Sequence, residues 1–272
     1  MTVNAPIFIG GLFKSGTSLL RSMLGQHRSI ASGLETYWFD LDWNNKSTPA
    51  FDDRLSLIAK FYNVCDDDVR RYLDQASPER FLAALLGEFA ERMGKRRWAE
   101  KTPGNILHLD RIFAAWPDAR VVHIRRDPRD VLASLRQAQK WDTPAEFMKR
   151  WSRFLGAAER FKAELECTKT QLLEVHYEDL IESPERTMRN IVEFVGEAWD
   201  PAVAEHHGDR HDFEVVQSAT GKESSTLKRL AEPISASRIE IWRDILTDTD
   251  IRDIEAEALR CGLANVMRGL QR

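Results

Sequence analysis

Short apolar runs alternate with amphipathic stretches along most of the chain. Ile7, Phe8 and Ile9 are continuously apolar and are followed by Gly10-Gly11, the pattern of a strand buried on both faces and ended by a tight loop. Thr17 and Ser18 lead into Leu19, Leu20, Met23 and Leu24, whose spacing predicts a helix. Residues 29–33 read as a second short strand or extended turn, and Glu35 to Asn45 form an aromatic and acidic segment. From Phe51 to Met93 the spacing is helical, with Leu55, Ile58, Ala59 and Tyr62 on one helix and Phe81, Leu85, Phe89 and Met93 on another. Ser77-Pro78 is an N-cap followed by a first-turn proline.

Arg97 to Lys101 reads as a strand ending before Pro103, and a helix is expected from about Asn105 to Trp116, broken by Pro117-Asp118. Arg120 to Ile124 is the next core strand, and Pro128 opens a helix through Gln139. Pro144 begins a long helix with Phe147, Trp151, Phe154, Leu155 and Phe161 on its apolar side. Leu172 to Val175 is a further strand, and a helix from Pro184 carries Ile191, Phe194 and Val195 before stopping at Gly196. Strands alternating with helices predict parallel β-α-β units, hence an α/β, three-layer fold with a central parallel sheet and ligand at the strands' C-terminal ends. No repeat or linker divides the chain, so residues 1–272 are expected to be a single domain, with 36–96 as a helical lid insertion.

Composition narrows the class. A net charge of −4 gives no global attraction to nucleic acid, so any anion site must be a local cluster of Lys and Arg. Cys65, Cys167 and Cys261 are odd in number and far apart, which disfavours a disulfide framework or zinc site and fits a reducing compartment. No apolar run is long enough to span a membrane, and Met1 to Pro6 lacks the regions of a signal peptide; a cytoplasmic location is the expectation. No His/Asp/Glu cluster has metal-ligand spacing, so no metal is expected.

The chemistry concentrates in Ile7 to Ser18, where strand, glycine-bearing loop and helix N-terminus make a phosphate cradle. Gly11-Leu-Phe-Lys-Ser-Gly16 has the glycine spacing of a Walker A loop, but Thr17 stands where that motif has its lysine. The cation has moved into the loop as Lys14, which argues against ATP hydrolysis and for a related transfer chemistry. A second landmark is Val121-Val-His-Ile-Arg-Arg126, followed by Ser134 eight residues after Arg126 on the next helix.

Together these two landmarks resemble the sulfotransferases that use 3′-phosphoadenosine-5′-phosphosulfate (PAPS), a family with a P-loop-like fold. The resemblance implies that Lys14, Ser15, Gly16, Thr17 and Ser18 hold the 5′-phosphosulfate, with Lys14 stabilising the bridging oxygen. It implies that Arg126 and Ser134 bind the 3′-phosphate and that Tyr177 lies near the nucleotide, a packing role for Tyr177 being the alternative. The small-molecule branch of the family has a histidine base after the Lys-Thr strand; Glu100-Lys101-Thr102-Pro103 has none. The chain is instead similar to the branch containing tyrosylprotein and heparan sulfotransferases, which implies Glu35 as general base and Lys101 as a second cation, a pair of lysines doing what Mg²⁺ does for kinases.

Gly221 to Thr226 is expected to be a loop over the nucleotide, from which Lys222 reaches the 3′-phosphate and Ser225 or Thr226 the sulfonate end. Pro233 to Trp242 resembles the family's closing helix, with the tryptophan packing. His27, His108 and His123 read as structural, and at least one of Arg125, Arg129 and Arg136 is expected to pair with Asp127 or Asp130. Trp38, Phe39, Trp43 and Phe51 either line an acceptor cleft or belong to the core. The implied partner is a hydroxyl-bearing acceptor (small molecule, glycan or peptide), and a homodimer is compatible with the sequence. Two other functions stay open: a P-loop kinase or ATPase, discriminated by Thr17, and a non-catalytic 3′,5′-nucleotide-binding protein, which would not need Glu35, Lys14 and Lys101 together.

Overall fold

Strand β1 (Ile7–Gly10) is wholly buried because it lies in the middle of a five-stranded sheet covered on both faces. The computed structural model describes residues 5–73, 77–138, 143–164, 171–204, 211–221 and 224–263. The other strands are β2 (Ile30–Ser32), β3 (Arg97–Lys101), β4 (Arg120–Arg125) and β5 (Leu172–His176), in the order β2-β3-β1-β4-β5 and parallel at every pairing. The architecture is α/β, as the alternation of patterns predicts. Successive residues of β1 feed opposite layers: Phe8 joins one apolar cluster, Ile7 and Ile9 another.

Helix α1 (Thr17–Gly25) packs Leu20, Met23 and Leu24 onto the Ile7/Ile9 face. Between β2 and β3 come α2 (Pro49–Tyr62), α3 (Asp66–Leu73) and α4 (Pro78–Arg92), which cover the Phe8 face through Ile58, Tyr62, Phe81 and Leu85. Thr48 and Ser77 cap α2 and α4 by accepting from the N–H groups of Phe51 and Arg80, each followed by a proline. Met93, expected on the apolar face of α4, is instead its C-terminal cap residue and half exposed.

The helix expected from Asn105 is divided. Pro103–His108 is a 3-10 turn, and α5 (Leu109–Ala115) follows it. The Asn105 side chain is drawn inward, donating to the Ile9 carbonyl (3.0 Å) and the Glu100 carboxylate (2.6 Å), which holds this turn tight against the strand ends. Helix α6 (Pro128–Gln137) ends two residues earlier than expected; α7 (Pro144–Glu164) buries Phe147, Trp151, Phe154, Leu155 and Phe161. Then come α8 (Tyr177–Glu182) and α9 (Pro184–Phe194), the latter ended by Gly196 at φ 79°.

Two expectations near the C-terminus are corrected. Residues 221–226 are not one open loop: α10 (His211–Thr220) ends at Gly221, and Ser224 caps α11 (Ser225–Leu230) by accepting from Leu227 N–H. Lys222 lies outside the described residues. Residues 233–242 are not a helix either. Pro233 lacks an N–H, Glu240 sits at a left-handed φ of 59°, and a 3-10 turn (Ala236–Arg238) is all that forms before α12 (Trp242–Ile245) and α13 (Asp248–Arg260). Asp130 fastens this stretch, accepting from the N–H groups of Glu240 and Trp242. Trp242 packs, as expected, within the third apolar cluster. Among the described residues no helix is long and apolar enough to cross a membrane.

The sheet is tied to its flank by Arg97, buried, which donates to the carbonyls of Ala5 and Val195 (2.7 Å) and to Glu197 (3.0 Å). Removing one partner from a buried ion pair leaves the other uncompensated. Arg97→Ala is therefore expected to lower the unfolding free energy by about 3–5 kcal/mol, read as a lower urea midpoint with an unchanged slope.

Candidate active site

After β1 the chain turns sharply at Gly11, whose N–H donates to the Pro103 carbonyl (3.1 Å) and where a Cβ would collide with the Ile124 carbonyl. Ser15 N–H closes the turn onto Leu12 O (3.1 Å), and three residues adopt positive φ, Gly11 at 150°, Lys14 at 69° and Gly16 at 96°. At Gly16 a side chain would also run into the Tyr177 ring, so only glycine fits between the loop and that aromatic face. No side chain caps α1; its first residues, Thr17 and Ser18, open onto a cavity of about 760 Å³. This cavity lies at the point where the strand order departs in opposite directions from β1.

Lys14, Gly16, Thr17, Ser18, Glu35, Lys101, Arg126, Ser134 and Tyr177 all line it. Ser15 does not; it is buried beneath the loop. At one end the Lys101 ammonium, buried at the tip of β3, contacts the Glu35 carboxylate and donates to Ser18 Oγ (3.1 Å). Burial opposes ionisation of Glu35, but the Lys101 charge and hydrogen bond, a hydrogen bond from Tyr37, and Arg21 outweigh it and hold the carboxyl below its usual value. Burial and the Arg21 charge depress Lys101, against the pull of Glu35 and Glu100. Lys14 Nζ reaches across to Thr226 Oγ1 on α11 (3.0 Å).

At the other end Arg126 donates to Lys14 O (2.9 Å), to Ser134 Oγ (3.4 Å) and to Arg238 O, and its guanidinium lies 4.5 Å over the Tyr177 ring. Its buried Nε has no hydrogen-bond partner. Arg238 donates to the same Ser134 hydroxyl (2.8 Å), and burial together with the charges of Arg229 and Arg126 lowers its pKa. The cavity lining carries Lys14, Arg21, Arg54, Lys101, Arg126, Arg150, Arg229 and Arg238 against two carboxylates, Glu35 and Glu232. Such a chamber attracts an anion charged at both ends.

Residues 6–201 match the model of the sulfotransferase family. The chain belongs to that family. A protein-tyrosine sulfotransferase of Drosophila melanogaster is 25% identical over 91% of this chain. The chain spans 49% of that relative's length. Among solved structures, the sulfotransferase domain from the curacin biosynthetic pathway superposes with a TM-score of 0.69 at 17% identity, over 95% of this chain and 99% of that one. A mouse sulfotransferase complexed with PAP superposes at 0.57 and 15% identity, over 98% and 88%. These likenesses place the fold among sulfotransferases.

Around this sulfotransferase cavity the other basic residues of the Arg126 segment are committed elsewhere. Arg129 pairs with Asp127 (2.6 Å), Arg125 with Glu174 (2.9 Å) and Arg136 with Asp250 (2.5 Å). The histidines bond structurally: His27 to Ala198 O, His123 to Glu174, and His108 beside Asp40. Trp38, Phe39, Trp43 and Phe51 do not line the cavity. Trp38 stacks on Phe81 at 4.2 Å and Trp43 meets Phe51 edge-on, so of the two readings the core one holds. Trp38 and Trp43 pack on Phe81 of α4, Trp43 also on Phe51 of α2, and Phe39 stacks on His108.

Sequence reasoning missed Arg21, Tyr37, Arg54, Arg229 and Arg238. Arg21 sits four residues after Thr17, one turn along α1 from the loop, a spacing that could have raised it. Nothing local marks the others. The buried carboxylate of Glu100 was also missed; it accepts from Thr36 Oγ1 (2.8 Å), Thr102 Oγ1 (2.7 Å) and Asn105, and so braces the segments that carry Glu35 and Lys101.

Replacing Glu35 by Gln strips Lys101 of its counter-charge while leaving it buried. The ammonium should then titrate at a lower pH than in the parent, measurable by heteronuclear NMR of lysine side chains. The sign follows from proton counting: between the depressed folded value and the ordinary value of 10.5 the unfolded chain holds the extra proton, so the variant gains stability as pH rises through that window.

Proposed function

We propose that this chain is a sulfotransferase that moves a sulfonate group from PAPS to an acceptor hydroxyl. The observation that carries the reading is the cavity's charge: cations and donors at two separated ends, the α1 entrance and the Arg126–Ser134–Arg238 group, with few carboxylates between. A nucleotide with phosphate at both its 3′ and 5′ positions answers that distribution. The residues present fit it: the buried Arg126 Nε is an unspent donor.

The loop and the first turn of α1 hold the 5′-phosphate through backbone N–H groups and the hydroxyls of Thr17 and Ser18. Ser15 serves by closing the loop, since its N–H is spent on Leu12 O. Arg126 and Ser134 hold the 3′-phosphate, with Arg238 beside them. PAPS supplies a sulfonate whose bond to the phosphate oxygen breaks as the acceptor oxygen bonds to sulfur. Lys14 and Lys101 neutralise the charge that grows on the leaving oxygen. Glu35 takes the acceptor's proton. For this it must be released from Lys101, and a ligand anion drawing that ammonium away both frees the carboxylate and restores its basicity.

The acceptor wall is built by α2, through Arg54, Leu57 and Phe61, together with Val216 and Thr220 of α10, which packs against it. We read residues 36–96 as the acceptor-side insertion on that basis. Residues around the sulfonate report the reaction, whereas the acceptor is read by these covering helices. Likeness to a protein-tyrosine sulfotransferase therefore leaves the acceptor as a hydroxyl of peptide, glycan or small molecule.

Calorimetry should find that 3′-phosphoadenosine-5′-phosphate binds while ATP with Mg²⁺ does not; the reverse order sinks the reading. Glu35→Ala should cut sulfonate transfer from labelled PAPS by about a hundredfold or more and leave nucleotide affinity intact. Arg126→Ala should weaken nucleotide binding by about 1.5–3 kcal/mol, the value of hydrogen bonds to a charged group.

A further inference from the structure

Glu35 lies in a stretch, residues 33–37, that has no regular secondary structure, so the backbone groups on either side of it must find partners elsewhere. They find them in side chains. The carbonyl of Leu34, in the peptide that leads into Glu35, accepts from the buried Tyr62 hydroxyl (2.5 Å). The N–H of Thr36, in the peptide that leads out, donates to the buried Glu100 carboxylate (3.3 Å), and the Thr36 hydroxyl reinforces it (2.8 Å). Upstream, Arg21 donates to the carbonyls of Ser32 and Gly33 (3.4 Å each); downstream, Tyr37 N–H donates to Thr102 Oγ1 (3.0 Å). Two peptide planes meet at the Cα of Glu35, and both are pinned.

Tyr62 is the member of this set that comes from the acceptor side. It is the last residue of α2, directly after Phe61, and α2 also brings Arg54 and Leu57 to the cavity. Its ring stands edge-on to Phe89 of α4 (5.0 Å), and its own carbonyl accepts from Arg92 (2.5 Å). A Cβ at Gly33 would lie 2.4 Å from that ring, so the glycine is what lets the Glu35 stretch close over it.

We propose that Tyr62 is a positioning residue for Glu35, fixing the carboxylate to the helix that builds the acceptor wall. The inference rests on Glu35 being the base. A neutral hydroxyl is enough here, because what it holds is a backbone carbonyl and not the carboxylate itself; the basicity of Glu35 is left alone. Base and acceptor wall then form one unit, and the distance over which the proton must pass is set by α2.

Tyr62→Phe removes the hydroxyl and keeps the ring. The Leu34 carbonyl loses its anchor, and the contact of Glu35 with Lys101 loosens. The groups that face this carboxylate are Lys101 from β3, Arg21 from α1 and the neighbouring Tyr37. Burial pushes the carboxyl up and the Lys101 charge more than offsets it, so the Glu35 titration should move up in the variant. NMR of carboxyl-labelled glutamate reads it, with Glu35 assigned through Glu35→Gln. Thr36→Val, which cuts the opposite flank, should move it the same way. The kcat for sulfonate transfer from labelled PAPS should fall about tenfold in Tyr62→Phe, with affinity for 3′-phosphoadenosine-5′-phosphate unchanged. Tyr72→Phe, which removes a hydroxyl bonded to Glu88 in the same apolar cluster, should move none of these. An unmoved Glu35 titration in Tyr62→Phe overturns the proposal, as does an equal shift in Tyr72→Phe. In the parent protein the Tyr62 hydroxyl proton should exchange slowly enough to be observed; fast exchange overturns the proposal without any variant. These NMR arms decide the matter even if the parent transfers no sulfonate, an outcome that would instead defeat the functional reading.

Discussion

An excess of positive charge, gathered in one cavity of a protein that is negative overall, is the constraint on which the site depends. Like charges repel strongly where water is scarce, so each cation must be held by its neighbours without being neutralised. Neutral oxygens do part of this work. Lys14 donates to a threonine hydroxyl, Lys101 to a serine as well as to Glu35, Arg126 to two carbonyls and a serine while lying 3.8 Å from the Asp130 carboxylate, and Arg238 to that same serine. Just outside, Arg125, Arg129 and Arg136 are paired with carboxylates.

The contact of Glu35 with Lys101 couples two ionisable groups inside the cavity. In the free protein each group restrains the other: the ammonium holds the carboxylate below its usual value, and the carboxylate supports the charge of a lysine that burial depresses. Neither can be drawn away by a ligand without changing the other. Beneath them Glu100 accepts hydrogen bonds from Thr36 and from Thr102 and Asn105, so one buried carboxyl at the end of β3 braces both the stretch that carries Glu35 and the one that follows Lys101. Burial raises the pKa of that carboxyl against those hydrogen bonds.

The sheet decides where this happens. β1 is flanked by β3 and β4, and the loops leaving all three strands meet above the same gap. The Gly11–Gly16 loop follows β1, Lys101 ends β3, and Arg126 follows β4, so three short segments far apart in sequence deliver their charges to one place. The close approach of Tyr177 to Gly16 and of Ile124 to Gly11 shows how little backbone clearance this convergence leaves.

Short apolar runs, helical spacings, proline-led N-caps and the two motifs sufficed to read the strands and the helices α1, α2, α4, α6, α7 and α9, because each of these is dictated by neighbours within a few positions. Where competing tertiary partners existed, local reading failed. Asn105 gave up a regular helix to reach Glu100, and residues 233–242 were pinned by Asp130 instead of coiling. The aromatic residues 38, 39, 43 and 51 were ambiguous in sequence because core and cleft ask for the same side chains; only their ring contacts with one another, with Phe81 and with His108 separated them. Arg238 and Tyr37 carry no local signature at all. They matter because the fold brings one beside Ser134, some hundred positions away, and sets the other on the cavity wall that also carries Glu35. Spacing along a chain encodes which surface a residue faces; it does not encode which distant charge lies across the gap.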